Sequence, residues 1–362
     1  EEAARVLGIC DRTFRRYVNR YDENGIDGLS DKRLAQASFR RAPVDEVMAV
    51  VDRYKSSYRC WNVRHFYSKY RKEGGQRSYS WVKNTLQSSG LVRKVSKRGV
   101  HRKHRERSPF PGMMLHQDGS THEWVPGKRW DLIVTMDDAT NEHYSMFFVD
   151  EEGTASSFQG VRDVIAQRGL FSSLYTDRGS HYWLTPKEGG KVSKTQLTQF
   201  GRAMKHLGIQ MIAAYSPEAR GRSERAFLTH QDRLPKELAL ERITDMDAAN
   251  RYLTQEYKPS FNVEFMQSPS EEGSAFVPWI GVNLDDILCQ QEERTVTADN
   301  CVSVDGYKLQ IPPNKYRCHY VRVRVMLHRY RDGSLAIFHG PRKLADYDRL
   351  GKLLEAAPRK AA

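Results

Sequence analysis

A basic, helical first third, a middle in which strands and helices alternate, and a strand-rich final stretch predict a multidomain chain. Three observations carry this. Residues 1–110 hold 26 Lys and Arg against 12 Asp and Glu, whereas residues 111–362 hold 32 against 33. Apolar residues recur at three- and four-residue spacing as far as Leu91, and strand-like runs begin after Gly112. Near the end, Val321-Arg322-Val323-Arg324-Val325 alternates without a break.

The length of 362 residues allows two to four domains, and 39% hydrophobic content with 18 Tyr and 14 Phe can fill their cores. No apolar run approaches the ~20 residues of a membrane span. Even residues 132–149 are interrupted by Asp137, Asp138, Glu142 and His143. No signal peptide is visible, and the chain opens at Glu1 inside a motif, so the expected N-terminus lies upstream. Cys10, Cys60, Cys289, Cys301 and Cys318 are scattered without a CxxC pair. That pattern fits a reduced cytoplasmic protein better than a disulfide scaffold or a zinc site.

Residues 2–8 read as a short helix stopped by Gly8, after which Asp11 can cap a second helix over residues 12–22. Phe14, Tyr17, Val18 and Tyr21 form its inward stripe. Arg12, Arg15, Arg16 and Arg20 lie outside that stripe, free to reach phosphates and base edges. This is helix-turn-helix geometry and predicts a DNA-binding domain over residues 1–40. The competing reading is an ordinary helical hairpin with a basic face.

A second helical unit is expected over residues 43–95, from the stripes Val44, Val47, Met48, Val51 and Val63, Phe66, Tyr67, Tyr70. Its third helix carries Val82 and Leu86 inward, with Ser80 as the cap and Gly90 as the stop. A second DNA-binding helix-turn-helix and a plain three-helix spacer both satisfy this pattern. Residues 93–107 hold eight Lys and Arg with only Glu106 opposing. Such a run reads as a linker, residues 96–111, lying along phosphates with Arg98, Arg102, Lys103 and Arg105. His101 and His104 have no cysteine pair beside them, so no metal is expected there.

From residue 112 to 280 the pattern is α/β. One strand holds Asp118, two more follow over residues 130–136 and 143–149, and a helix over 154–168 leads to a strand at 170–176. That strand delivers Asp177 at its C-terminal end, where open sheets place their chemistry. A helix over 195–207, a strand over 209–213 and a helix carrying Glu224 complete the domain. Glu224 shares a helical face with Phe227, Leu228, Gln231, Leu234 and Leu238, so it is expected to point inward. A carboxylate held inward needs a cation. Together with Asp118 and Asp177 it predicts divalent-metal phosphoryl chemistry, and an all-oxygen set favours Mg2+ or Mn2+ over zinc.

Thr176-Asp177-Arg178-Gly179-Ser180, followed by Tyr215-Ser216-Pro217 and Gly221-Arg222-Ser223-Glu224-Arg225, resembles the catalytic domain of DDE transposases and retroviral integrases. The nearest likeness is to bacterial insertion-sequence transposases of the ISNCY type, and it extends over essentially the whole chain. It implies an RNase H-like core with Asp118, Asp177 and Glu224 as catalytic metal ligands for two ions. It also implies nicking at the ends of a mobile element and direct joining of those ends to target DNA. The 47 positions from Asp177 to Glu224 exceed the family's usual spacing, and residues 181–194 read as an inserted loop. Double-stranded DNA, as terminal inverted repeats and target, is the expected partner, bound by a homodimer or larger homo-oligomer at the nucleoid. Arg220, Arg222 and Arg225 are expected to neutralise phosphates near the metals.

Rival assignments are weaker. Asp137 and Asp138 fit a hairpin turn, and Glu218 lacks the helical register of Glu224. Gly189-Gly190-Lys191 lacks the spacing of a phosphate loop. His116 and His181 suit structural or DNA-contacting roles. A small β-barrel is expected over residues 285–345, with outward arginines available to DNA, followed by a tail over 346–362. A non-catalytic regulator derived from a transposase, or a nuclease without strand transfer, would share much of this sequence.

Overall fold

The computed structural model describes residues 2–30, 41–94, 106–186, 190–193, 195–215, 221–281, 283–315 and 317–354. The chain divides into two compact units, Glu1–Arg98 and Gly99–Ala362.

The first unit is helical. Helices α1 (Glu2–Val6) and α2 (Asp11–Asn24) meet at a turn through Gly8, which adopts a φ of 66° open to glycine at no steric cost. Cys10, not Asp11, occupies the N-cap of α2. The stripe expected to face inward is only partly covered: Tyr17, Val18 and Tyr21 are exposed. The short α1 is too small to cover a 14-residue helix. Helices α3 (Val44–Ser57), α4 (Val63–Lys72) and α5 (Tyr79–Ser88) form a true core of Val50, Tyr54, Trp61, Phe66, Tyr70, Val82 and Leu86. The α5 cap is Ser78, whose hydroxyl accepts from Trp81 N at 3.3 Å; the expected cap, Ser80, lies inside the helix.

The second unit is built on a five-stranded sheet in the order β3-β2-β1-β4-β5. Strands β1 (Met114–Val125), β2 (Lys128–Asp137) and β3 (His143–Val149) form an antiparallel meander. Helix α6 (Thr154–Arg168) then crosses to β4 (Ser173–Thr176), which pairs parallel with β1. Helix α7 (Gln199–His206) leads to β5 (Gln210–Ala213), parallel to β4. Because strand side chains alternate between faces, β2 sends Leu132, Val134 and Met136 to one layer. There they meet Phe227, Leu234 and Leu238 of α8 (Gly221–Leu240), with α9 (Met246–Tyr252) and α10 (Lys258–Phe265) alongside. Leu115 and Leu174 point the other way, into the α6 and α7 layer with Phe158, Val161, Phe200 and Met204.

The C-terminal strands are β6 (Gln290–Thr295), β7 (Cys301–Val304), β8 (Tyr307–Gln310), β9 (Arg324–Arg329), β10 (Leu335–His339), β11 (Arg342–Tyr347) and β12 (Leu353–Leu354). Among the described residues they do not close into the expected barrel. They form an open sheet, β12-β11-β10-β9-β6, and a separate β7-β8 hairpin. Val302, Val304 and Leu309 of the hairpin pack against Val325, Leu327 and Ile337 of the sheet, so a second layer buries the apolar face without a closing ladder. Arg202 of α7 donates to the carbonyls of Ile287 and Cys289 and ties this sheet to the core.

Candidate active site

Strand β1 organises the site. His116, Asp118 and Ser120 are two apart and therefore share a face. Their partners on β2 are Met136, Val134 and Leu132, which belong to the layer covered by α8, so these three side chains lie on the α8 side of the sheet. Asp118 is buried, at 7% exposure. On the other side of β1, His116 pairs with Tyr175 of β4, and Asp118 and Asp177 each stand two residues beyond that pair. Neighbouring strands are ~4.8 Å apart, so the two aspartates leave adjoining strands at one level. Asp177 is half-buried, and its Oδ1 accepts from Gly179 N at 2.8 Å, closing a tight turn at the strand end.

Helix α8 runs alongside β1 between two polar anchors. At its start, Arg222 is ion-paired with Asp138, which also receives His116 Nε2 at 2.7 Å. Nine residues on, Gln231 donates to Ser120 Oγ at 2.9 Å. Nine helical residues rise ~13 Å and the four strand residues from His116 to Ser120 about the same. Glu224 therefore lies between anchors that bracket Asp118. It does not point straight inward as expected. The buried stripe of α8 is Ser223, Phe227, His230, Leu234 and Leu238, while Glu224 is exposed and Leu228 is 66% exposed. The apolar periodicity misled because buried polar residues, His230, Arg233 and Glu237, shift the true inward face. Glu224 and Gln231 share the flank that meets β1.

Among the described residues, no three His, Cys, Asp or Glu side chains stand close enough as placed to hold one metal ion. The donor chemistry of Asp118, Asp177 and Glu224 fits hard divalent cations. Their elements lie along one side of the sheet, but the three side chains are aligned and not gathered.

A fourth carboxylate borders Asp118. Glu152 N donates to Asp131 Oδ2 at 2.7 Å, and the Glu152 carboxylate covers Gly119 so closely that a Cβ there would collide with it. His181 Nε2 stands 3.4 Å from Glu152 Oε1. The buried Tyr182 hydroxyl is held well above its ordinary pKa, first by burial and then by the charges of Glu152, Asp118 and Asp177. One phenol thus senses all three. The loop after Asp177 folds back on the domain: Trp183 Nε1 donates to Thr176 Oγ1 at 2.9 Å, and Arg178 lies over the Tyr215 ring. Between this loop, α7 and β5 is a cleft of about 640 Å³ lined by Trp183, Leu184, Val192, Leu197, Ile212 and Tyr215.

The acidic pair at the end of β2 divides its work. Asp137 has the expected turn role, with Oδ1 accepting from Ala139 N and Thr140 N at 2.9 Å each and Oδ2 from Gly112 N at 2.9 Å. Burial raises its pKa despite those donors. Asp138 is fully buried and serves as a hub, accepting also from Ser108 N at 2.8 Å and Ser108 Oγ at 3.0 Å. Sequence reasoning missed Asp138 and Glu152; a strand end followed by a turn gave no sign of either partner set.

Of the expected DNA-contacting residues, Arg12, Arg15, Arg16 and Arg20 are all exposed along α2. Arg225 is exposed beside Glu224, whereas Arg222 is engaged by Asp138 and by the Glu106 carbonyl at 2.8 Å. Arg98, Arg102, Lys103, Arg105 and Arg220 lie outside the described residues, as does Glu218.

Residues 1–38 match the family model described as a winged helix-turn helix. The chain is 29% identical over 345 residues to y4bF of Sinorhizobium fredii, named for a transposase, covering 92% of this chain and 74% of that one. It is 30% identical over 161 residues to the transposase for insertion sequence IS1202 of Streptococcus pneumoniae, covering 44% of this chain and about a third (34%) of that one. Among solved structures, the simian T-cell lymphotropic virus intasome in complex with PP2A regulatory subunit B56 gamma matches with 14% identity, covering 78% of this chain and 93% of that chain, at a TM-score of 0.36. The HTLV-2 integrase catalytic core in complex with magnesium matches with 16% identity, covering 41% and 89%, at 0.31. Superpositions this loose carry no weight for fold or chemistry. The sequence similarity does: it extends over 345 residues to a protein whose name is that of a transposase.

Proposed function

We propose that this protein is a DNA transposase that binds the ends of an insertion sequence, nicks them and joins their 3′ ends to target DNA. The observation that carries the reading is the placement of Asp118 and Asp177 at one level on adjoining strands, with α8 bringing Glu224 along the same side. The similarity to transposases supports it.

Asp118, Asp177 and Glu224 are the residues that would hold two Mg2+ or Mn2+ ions. Such a pair supplies activation of an attacking water or 3′-hydroxyl and stabilisation of the leaving oxygen in an in-line displacement. Asp118 and Asp177 would hold the ions from adjoining strands, and Glu224 would contribute its exposed carboxylate from α8. The exposed Arg225 neutralises a phosphate beside the reacting one. The α2 arginines hold the duplex by its phosphates and base edges, as helix-turn-helix second helices do. Two ends joined in one event call for at least two copies of the chain on DNA, acting at the nucleoid.

The test is to incubate the protein and Mg2+ with labelled duplexes carrying the terminal repeats that flank its gene. Nicked and joined products support a transposase. Cleavage without joining indicates a nuclease, and a mobility shift without any cleavage indicates a DNA-binding regulator.

A further inference from the structure

Arg222 and Glu224 are two residues apart on α8 and so ~200° apart around its axis. They flank the buried stripe on opposite sides, Arg222 toward the β2 end and Glu224 toward β1. The roll of a 20-residue helix about its axis is set by what grips its flanks. Gln231 grips Ser120 on the β1 side. On the other side, at the first turn, the grip is Asp138. This carboxylate has no exposure and is held by Ser108 N, Ser108 Oγ and His116 Nε2, so it cannot drift. A buried charge is costly unless paired and hydrogen-bonded, and removing one partner strands the other. Asp138 therefore keeps Arg222 with it. His116, on the same hub, sits two residues before Asp118 on the same strand face, and Arg222 sits two residues before Glu224.

We propose that Asp138 is a positioning residue: through His116 and Arg222 it fixes the roll of α8 against β1 and so sets the separation of the Asp118 and Glu224 carboxylates. This rests on the reading of Asp118, Asp177 and Glu224 as the metal-holding set. Asp138 touches neither substrate nor metal. Its effect is felt, through the roll of α8, in how readily the two carboxylates share a cation.

The experiment compares the wild type with Asp138→Asn, Arg222→Gln, the double variant and Arg233→Gln. Arg233, also on α8, pairs with Glu264 of α10 at 2.8 and 2.9 Å, away from β1, and provides a matched loss of helix anchoring. Mn2+ affinity is measured by titration with electron paramagnetic resonance, thermal midpoints by circular dichroism, and nicking of labelled ends in the same samples. Asp138→Asn and Arg222→Gln should each weaken Mn2+ binding by about 10-fold or more. The double variant should be no worse than the weaker single one, because both act through one contact. Arg233→Gln should lower the midpoint and leave Mn2+ affinity within about twofold of wild type.

The proposal is overturned if Mn2+ affinity is unchanged in Asp138→Asn and Arg222→Gln, or falls equally in Arg233→Gln at equal loss of midpoint. It is also overturned if the wild type binds no Mn2+. A wild type that binds Mn2+ but never nicks defeats the transposase reading alone, and the affinity series still decides the role of Asp138.

Discussion

Gln231 on α8 donates to Ser120 on β1 at 2.9 Å, two residues along the strand from Asp118 and seven along the helix from Glu224. This one bond shows which flank of α8 meets the strand that carries Asp118. Glu224 itself is exposed, so the fold does not depend on it. Glu224→Gln should change unfolding free energy by no more than ~0.5 kcal/mol, the usual range for a surface site, while lowering the nicking rate at least ~100-fold, since a metal ligand acts in the transition state. Urea melts and single-turnover nicking check the two halves separately.

Asp177→Asn keeps the Oδ1 that accepts from Gly179 N, so the turn after β4 survives. The charge is lost. Nicking should vanish while binding to end duplexes stays within a few-fold, which gel shifts can measure. Retained nicking would remove Asp177 from the catalytic set.

Gly160 lets α6 approach the sheet behind the site. A Cβ there would collide with Gln117 Nε2 and come 2.8 Å from Thr135 Oγ1. Gln117 holds Thr135 and the Ser157 carbonyl at 3.1 Å each and is buried beside Asp118. Alanine gains about 1 kcal/mol in helix propensity, but crowding a packed interior costs ~1–3 kcal/mol and the displaced amide loses bonds worth ~1 kcal/mol each. Gly160→Ala should be net destabilising by about 1–3 kcal/mol in chemical denaturation.

A buried relay joins β3, α8 and the helical turn Leu253–Tyr257 that precedes α10. His143 Nδ1 donates to the Asn141 carbonyl at 2.9 Å, its Nε2 accepts from His230 Nε2 at 3.0 Å, and His230 Nδ1 accepts from the Tyr257 hydroxyl at 3.1 Å. Burial lowers the His143 pKa to about 4 and drives His230 well below its ordinary value, the latter aided by His143 and Arg233. Both are neutral in the fold, and the unfolded chain takes up protons that the folded one refuses. Their stabilising contribution is full above the ordinary histidine pKa of ~6.5 and is lost as pH falls toward 4. The thermal midpoint should drop between pH 7 and pH 5, and less so in His230→Gln. A midpoint flat across that window would contradict the neutral relay.

On the proposed function, the exposed α2 arginines should act through phosphate charge. Replacing Arg16 or Arg20 by alanine should weaken end binding and reduce the slope of log affinity against log salt by about one for each phosphate left unneutralised. A drop in affinity with an unchanged salt slope would mean those side chains do not reach the backbone.

Much of this was legible in the sequence because simple periods governed it. Strand-like runs set off by turns located β1 to β3 and the strand before Asp177, and three- and four-residue spacing located α4 and α6. What escaped had a common cause. Buried polar residues defeat apolar periodicity: His230, Arg233 and Glu237 turned the true inward face of α8 away from Glu224. Asp138 looked like half of a turn because its partners, Ser108 and Arg222, are 30 and 84 residues away. Alternating strands near the C-terminus could not distinguish a closed barrel from a sheet with a hairpin packed over it, since both bury every second residue. The stripe on α2 is real, but nothing in its spacing says whether a neighbour covers it.

The central claim is that Asp118, Asp177 and Glu224 close around a pair of hard cations. Its most direct test is anomalous scattering from crystals of the protein bound to an end duplex and soaked with Mn2+. Two peaks should appear, with Asp118 between them and Asp177 and Glu224 on either side. Peaks held by other residues, or none with the duplex in place, would contradict the account.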